Sequence, residues 1–300
     1  MIKPAVEVVI AAPRDRSQLA RDLVALGKPR VLLMVLASTL AGYFAALDGP
    51  PDLAQVIHLL IGTLMAAGGT LALNQYVERD VDALMERTRR RPLPDGRLQP
   101  LEALLFAGVL TSAGVTYLAA SVGMAVAGLT LATTILYLGA YTPLKTRSAL
   151  CMLVGAVPGA LPPVTGWLAA RGELGLGAAM LFAIVFLWQL PHTLAIARLY
   201  RDDYARAGVR VLPVVDAHGT ASDRQIVTST LALFGVSVLP AAIGLGGTAY
   251  FATACILGLG LLGVGLTHAR RPSVASARRV LMATLLYLPL LFSILALDRP

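Results

Sequence analysis

The sequence predicts an all-α polytopic membrane protein of nine transmembrane helices, with its N-terminus cytoplasmic and its C-terminus outside. Three observations carry that reading. Of its 300 residues 57% are apolar and only 14% charged, giving a mean hydropathy of +0.73, a membrane rather than a soluble balance. Long stretches contain no Asp, Glu, Lys or Arg. The basic residues gather on one side of those stretches.

In chain order the charge-free runs are Val31–Leu47, Leu53–Val77, Ala103–Leu144, Ser148–Ala170, Leu174–Ala197, Gln225–Thr267 and Val280–Leu297. One crossing takes about 20 residues of helix. The two runs longer than forty residues therefore hold two spans each, breaking at Ser121–Gly123 and Gly244–Gly247. Pro158, Pro162 and Pro163 predict an irregular fifth span, and Pro191 a kink in the sixth that frees a carbonyl near His192.

With the N-terminus inside, 23 of the 25 basic residues are cytoplasmic, and only Arg171 and Arg299 face out. The net charge of +8 reads as this topology and as attraction to anionic headgroups or an anionic substrate. Nucleic acid is not expected as a partner, because no basic soluble domain exists to hold it. Residues 1–27, with Glu7, Asp15 and Asp22 among the basic ones, lack a cleavage pattern and read as a cytoplasmic segment. Residues 28–300 read as one transmembrane domain in the lipid bilayer of a bacterial plasma membrane. Cys151 and Cys255, alone in separate spans, support neither a disulfide framework nor a zinc site.

The acidic residues lie outside the runs and cluster on the cytoplasmic side, so a polar site belongs at that mouth of the bundle. After the second span the chain reads Asn74-Gln75-Tyr-Val-Glu78-Arg-Asp80-Val-Asp82, followed by Arg87 and Arg91. Residues four and eight apart on a helix lie within about 80° of one another, so Asn74, Glu78 and Asp82 share a face at a solvent-accessible helix end, and Asp80 points elsewhere. Hard oxygen ligands on one face, with arginines nearby, suit Mg²⁺ bridging to phosphate. A solvated helix end with a positive-inside loop explains the arginines but not the acids. An amide such as Asn74 in the last turn of an apolar helix needs a partner.

The second cluster runs from Trp188, Gln189, Pro191 and His192 to Asp202, Asp203 and Tyr204. His192 and Asp203 are close to three helical turns apart, His192 being deeper by roughly 16 Å if the helix is continuous. A lone histidine in a span can simply bond to a neighbouring helix; against that stand the proline, Gln189 and Trp188 in the same turn. A third group, Tyr137, Tyr141 and Lys145, is spaced by four at the end of the fourth span. Aromatic faces attract cations and an ammonium attracts phosphate, which suits an allylic diphosphate that ionises. For any one of these residues an interfacial aromatic belt and a snorkelling lysine remain the plainer explanation.

Gly258-Leu-Gly260-Leu-Leu-Gly263 matches a dinucleotide fingerprint only formally, because it sits inside an apolar span with no preceding strand. Gly155 to Gly159 reads as a small-residue helix contact. His58, His218 and His268 show no clustering partners in the sequence.

At these residues the chain resembles the UbiA prenyltransferase superfamily, which carries an N-D-x-x-D-x-x-x-D signature after the second of nine helices and a second Asp motif after the sixth. Asn74, Glu78 and Asp82 fill the first signature, with Gln75 at its second position and Glu in place of the middle Asp. Further stretches are similar to the heme O synthase branch: Lys28-Pro29-Arg30-Val31, the loop from Met85 to Arg97, Tyr141-Thr-Pro-Leu-Lys145, Pro162 to Trp167, Trp188-Gln189-Leu-Pro191-His192, and Asp203 to Gly208 followed by Leu212 to Val215. Cys151 stands where that branch commonly has Asn, and Thr193 where it has an aromatic.

The resemblance implies transfer of a farnesyl group from farnesyl diphosphate to the vinyl group of heme B. Mg²⁺ would be held by Asn74, Glu78, Asp82 and Asp203, with Lys145, Arg87 and Arg91 on the leaving diphosphate and Tyr137 and Tyr141 beside the carbocation. Trp188, Gln189 and His192 would handle heme, and a heme A synthase would be a partner. The nearest alternative is a relative with another aromatic or chlorin acceptor, against which the Trp188 to His192 stretch speaks. A secondary transporter would place ionisable groups near the midplane, where the runs hold none.

Overall fold

The computed structural model describes residues 15–298, so Lys3, Glu7 and Arg299 lie outside the described residues. Helices follow one another in the order α1 (Arg16–Leu26), α2 (Pro29–Ala46), α3 (Leu53–Ala83), α4 (Pro100–Ser121), α5 (Met124–Ile135), a π turn at Leu136–Tyr141, α6 (Thr142–Leu144), α7 (Cys151–Arg171), α8 (Leu176–Leu199), α9 (Arg201–Arg206), α10 (Leu212–Val215), α11 (Thr220–Ala242), α12 (Thr248–Arg270) and α13 (Val274–Leu297). Among the described residues nine helical stretches are long and apolar enough to cross a membrane, α5 through α6 forming one of them, Met124–Leu144. The two long runs divide at Val122–Gly123 and at Ile243–Gly247, where the expected breaks lie.

Local chemistry sets the helix starts. Asp52 accepts from the backbone N–H groups of Ala54 and Gln55 at the head of α3. Pro29 and Pro100 occupy first-turn positions that need no N–H donor. Glu102 and Gln99 form a capping box at α4, as Ser273 and Ser276 do at α13. Leu33, Ile57, Ile61, Leu105, Val109 and Leu286 point outward, as expected where lipid replaces water.

Three pairs of helices pack most closely, α3 with α4, α2 with α7 and α11 with α12, while α8 touches α7, α11 and α13. The main apolar core lies between these last four and α12, and includes Trp167, Leu181, Ile184, Tyr250, Tyr287 and Leu291. Contact between α2 and α7 is backbone against backbone: a Cβ added at Gly166 would lie 1.8 Å from the Thr39 carbonyl oxygen, and one at Gly42 1.9 Å from that of Pro163. Gly166→Ala is therefore expected to destabilise the bundle by about 1–3 kcal/mol, measured as a lower Tm of the detergent-solubilised protein. An unchanged Tm would mean that the two helices can part at no cost.

One expectation about proline is corrected: the fifth span, α7, is helical throughout Cys151–Arg171 despite Pro158, Pro162 and Pro163. The sixth span, α8, likewise stays helical through Pro191. In a packed membrane bundle neighbouring groups re-satisfy the backbone that a proline frees. The irregular span is instead the fourth, at its π turn. Residues 16–26, expected only as part of a cytoplasmic segment, form a helix docked on α3 and α4, with Leu26 buried and Asp22 paired to Arg97 at 3.0 Å.

Candidate active site

The unbroken helix α3 carries Asn74, Glu78 and Asp82 down one side to its C-terminal end. Asp80 points away, its side chain 86% exposed beside Arg79. Asp82 is not at a solvent-accessible end, as the sequence suggested, but 2% exposed. The loop after α3 folds back over it: the Thr88 hydroxyl donates to the Asp82 carbonyl oxygen at 2.8 Å, and Arg91 meets its carboxylate at 2.5 Å.

Three other segments close on this face. At the end of the fourth span the π turn holds the Tyr137 and Tyr141 rings 5.2 Å apart, and Lys145 Nζ lies 4.5 Å from the centre of the Tyr141 ring. The same ammonium pairs with Glu78 at 2.5 Å. Burial disfavours the Lys145 charge, but Tyr141, Glu78 and Tyr137 outweigh it and hold the pKa above the ordinary lysine value. Thr142, at the following step, accepts from Asn74 Nδ2 at 3.2 Å.

Asp203 arrives on α9, not on a continuation of α8. The backbone leaves the helical region at Tyr200, with φ −115° and ψ 28°, so the expected single helix from His192 to Asp203 is corrected and the 16 Å depth along it does not apply. The break turns Asp203 toward the loop after α3, where its carboxylate accepts from the backbone N–H groups of Glu86 and Arg87 at 3.3 Å each and pairs with Arg206. Arg87 lies over the Tyr200 and Tyr204 rings, 5.4 and 5.8 Å from their centres. The Arg210 N–H donates to the Lys145 carbonyl oxygen at 2.7 Å, tying this segment to the fourth span.

Lys28 was missed as a site residue. It sits between α1 and α2 with φ +48°, the one positive-φ residue other than glycine among those described. Its ammonium donates to Asn74 Oδ1 at 2.7 Å. Burial, with Arg91 and Lys145 nearby, pushes its pKa down to about 7. Gln75, where the signature has Asp, turns about 100° from Asn74 and donates to the carbonyl oxygens of Ala25 and Leu26 at 3.1 and 2.7 Å, anchoring the chain just before Lys28. The only trace of this in the sequence is the Lys-Pro pair at the mouth of the first span.

Trp188 and His192 stack with ring centres 4.7 Å apart and both contact Thr284 on α13, whereas Gln189 faces the other way and donates to the Ala156 carbonyl oxygen at 3.1 Å. Two histidines expected to lack partners have them: His58 Nδ1 lies 2.7 Å from the Tyr117 hydroxyl, and His268, fully buried, lies 3.2 Å from Asp223 and 2.7 Å from Ser276. Tyr117 and Asp223 are distant in sequence from the histidines they meet, which is why clustering along the chain did not reveal them.

The mouth thus gathers hard oxygens from Asn74, Glu78, Asp82 and Asp203 among the cations Lys28, Arg87, Arg91, Lys145 and Arg206. Among the described residues no three acidic, histidine or cysteine side chains stand close enough to cage a metal alone. That donor chemistry still fits Mg²⁺, which takes one or two carboxylates and completes its shell with water and phosphate oxygens.

The model of the UbiA prenyltransferase family matches residues 35–291. The chain belongs to that family. It is 44% identical to the protoheme IX farnesyltransferase of Solibacter usitatus, covering 93% of this chain and 99% of that one. It is 40% identical to the protein of that name from Koribacter versatilis, covering 97% of each. Among solved structures, a digeranylgeranylglyceryl phosphate synthase superposes with a TM-score of 0.76 at 14% identity over 94% of this chain and 98% of that one. A UbiA homolog from Archaeoglobus fulgidus bound to GPP and Mg²⁺ gives 0.63 at 14% identity over 92% and 99%. At such low identity these two likenesses establish the shared fold of the family.

Proposed function

We propose that the protein transfers the farnesyl group of farnesyl diphosphate to a vinyl group of heme B, forming heme O and diphosphate, at the cytoplasmic mouth of a bacterial inner-membrane bundle. The observation that carries this reading is the meeting of Lys28, Asn74, Glu78, Asp82 and Lys145 around Tyr137 and Tyr141, where an anionic headgroup and an apolar tail find complementary surfaces side by side. The names of the relatives, protoheme IX farnesyltransferase, support a protoheme acceptor and a farnesyl group.

Lys28, Lys145 and Arg91 bind the diphosphate and stabilise the charge that grows as the allylic C–O bond breaks and its electron pair leaves with oxygen. Asn74, Glu78, Asp82 and Asp203 would hold Mg²⁺, which when bound neutralises part of that charge. The faces of Tyr137 and Tyr141 steady the farnesyl cation, and the surrounding helices keep water from quenching it early. The vinyl π electrons form the new C–C bond, and water captures the resulting porphyrin-side cation with loss of a proton. Trp188 and His192 present the heme.

Incubation of the purified protein with heme B, farnesyl diphosphate and Mg²⁺ should yield hydroxyethylfarnesyl heme by mass spectrometry. Turnover of farnesyl diphosphate with another aromatic acceptor and none with heme would overturn the acceptor assignment.

A further inference from the structure

The polar group that joins α8 to α13 has a directionality that a simple tie between helices does not require. Trp188 and His192 on α8 both reach Thr284, a fully buried residue of α13. Trp188 Nε1 donates to the Thr284 carbonyl oxygen at 2.7 Å, and His192 Nδ1 lies 3.0 Å from the Thr284 hydroxyl oxygen. That hydroxyl has one hydrogen, and it is donated to the Leu281 carbonyl oxygen at 2.7 Å. With the hydroxyl hydrogen so placed only lone pairs remain on Oγ1, which assigns the donor role to the imidazole and the hydrogen to Nδ1.

A neutral imidazole protonated at Nδ1 keeps an in-plane lone pair at Nε2. Among the described residues none bonds to Nε2, and Trp188 covers the face of the ring, with planes inclined at 19°, without blocking its edge. The ring is thus fixed in tautomer by Thr284 and in orientation by Trp188. This is how a histidine is prepared for a metal: its remote nitrogen is tied to an acceptor and its near nitrogen left free.

We propose that Thr284 is a positioning residue that locks His192 in the Nδ1–H tautomer, so that Nε2 offers its lone pair to the iron of a porphyrin acceptor. The proposal rests on the acceptor reading given above. It differs from a mere packing role, in which either tautomer would serve and removal of the hydroxyl would leave iron binding unchanged.

The test is a titration of the purified full-length protein in detergent with ferric heme B, following the Soret and visible bands, for the wild type, Thr284→Val, Thr284→Ser and His192→Ala. Thr284→Val should weaken heme binding by about 10–100-fold, the usual effect of removing the partner of a ligating histidine, and lose the histidine-ligated spectrum. Thr284→Ser, which keeps the acceptor, should retain both. Binding of a non-hydrolysable farnesyl diphosphate analogue should be unchanged throughout.

An unaltered spectrum in His192→Ala would overturn ligation by His192 and the lock with it. A wild-type spectrum in Thr284→Val beside a changed one in His192→Ala would overturn the lock alone. Farnesylation of heme alongside either result would leave the proposed function standing. Should Thr284→Val not fold, ¹⁵N shifts of the wild-type imidazole decide: a protonated Nε2 and bare Nδ1 overturn the proposal.

Discussion

Asp82→Asn is expected to lower turnover by about 10²–10³-fold, the scale of losing one preorganised charge-stabilising group, while Asp80→Ala keeps near-normal activity. Asp82 is buried, its carboxylate is aligned with Glu78 and Asn74, and it holds Arg91 at 2.5 Å. That pairing complicates the experiment. Removing one side of a buried ion pair costs about 3–5 kcal/mol, and Arg91, with 23% of its side chain exposed, recovers part of this through hydration. A loss of activity in the single variant could therefore reflect loss of fold. The double variant Asp82→Asn/Arg91→Gln separates the two, because it leaves no charge unpaired. It should regain the wild-type Tm and remain inactive, the loss then belonging to the Asp82 and Arg91 pair, both assigned to the site, and not to the fold. Wild-type turnover in the double variant would remove Asp82 from the site, and equal losses at Asp80 and Asp82 would defeat the one-face reading of α3.

Lys145→Ala should raise KM for farnesyl diphosphate by about 10–100-fold, corresponding to one charged hydrogen bond of about 1.5–3 kcal/mol, and leave heme affinity untouched. The expectation comes from its place between Glu78 and the Tyr141 ring, beside the surface assigned to the carbocation. Arginine should not substitute fully, because its planar fork would have to fit where a compact ammonium now sits. Titrations of each substrate give the answer directly. Weaker heme binding with diphosphate affinity preserved would reassign Lys145 to a porphyrin propionate.

Local features were legible in the sequence and contacts between distant segments were not. Hydropathy is a property of adjacent residues, so the nine spans and both breaks within the long runs could be read directly, as could the common face of Asn74, Glu78 and Asp82, fixed by helical period. The end of α8 at Tyr200 carried no proline or glycine to announce it. Nor could the spacing reveal that Asp203 caps backbone N–H groups of a loop more than a hundred residues earlier, that Lys28 reaches Asn74, or that Thr284 meets His192. Burial of Asp82 was misjudged for the same reason, since the loop that covers it lies beyond the helix that carries it.

Every carboxylate proposed as a metal ligand already has a base of its own, Glu78 with Lys145, Asp82 with Arg91 and Asp203 with Arg206. Each of these acids is thus compensated by its own base, which spares it the cost of an unpaired charge in apolar surroundings. Entry of substrate is then an exchange of partners: the phosphoryl oxygens draw the bases away and, in the same event, release the acids toward a cation. A divalent ion by itself would have to displace three bases, and a bare diphosphate would strand three acids. If these carboxylates are the metal ligands, the pairing would favour entry of metal and diphosphate together over entry of either alone.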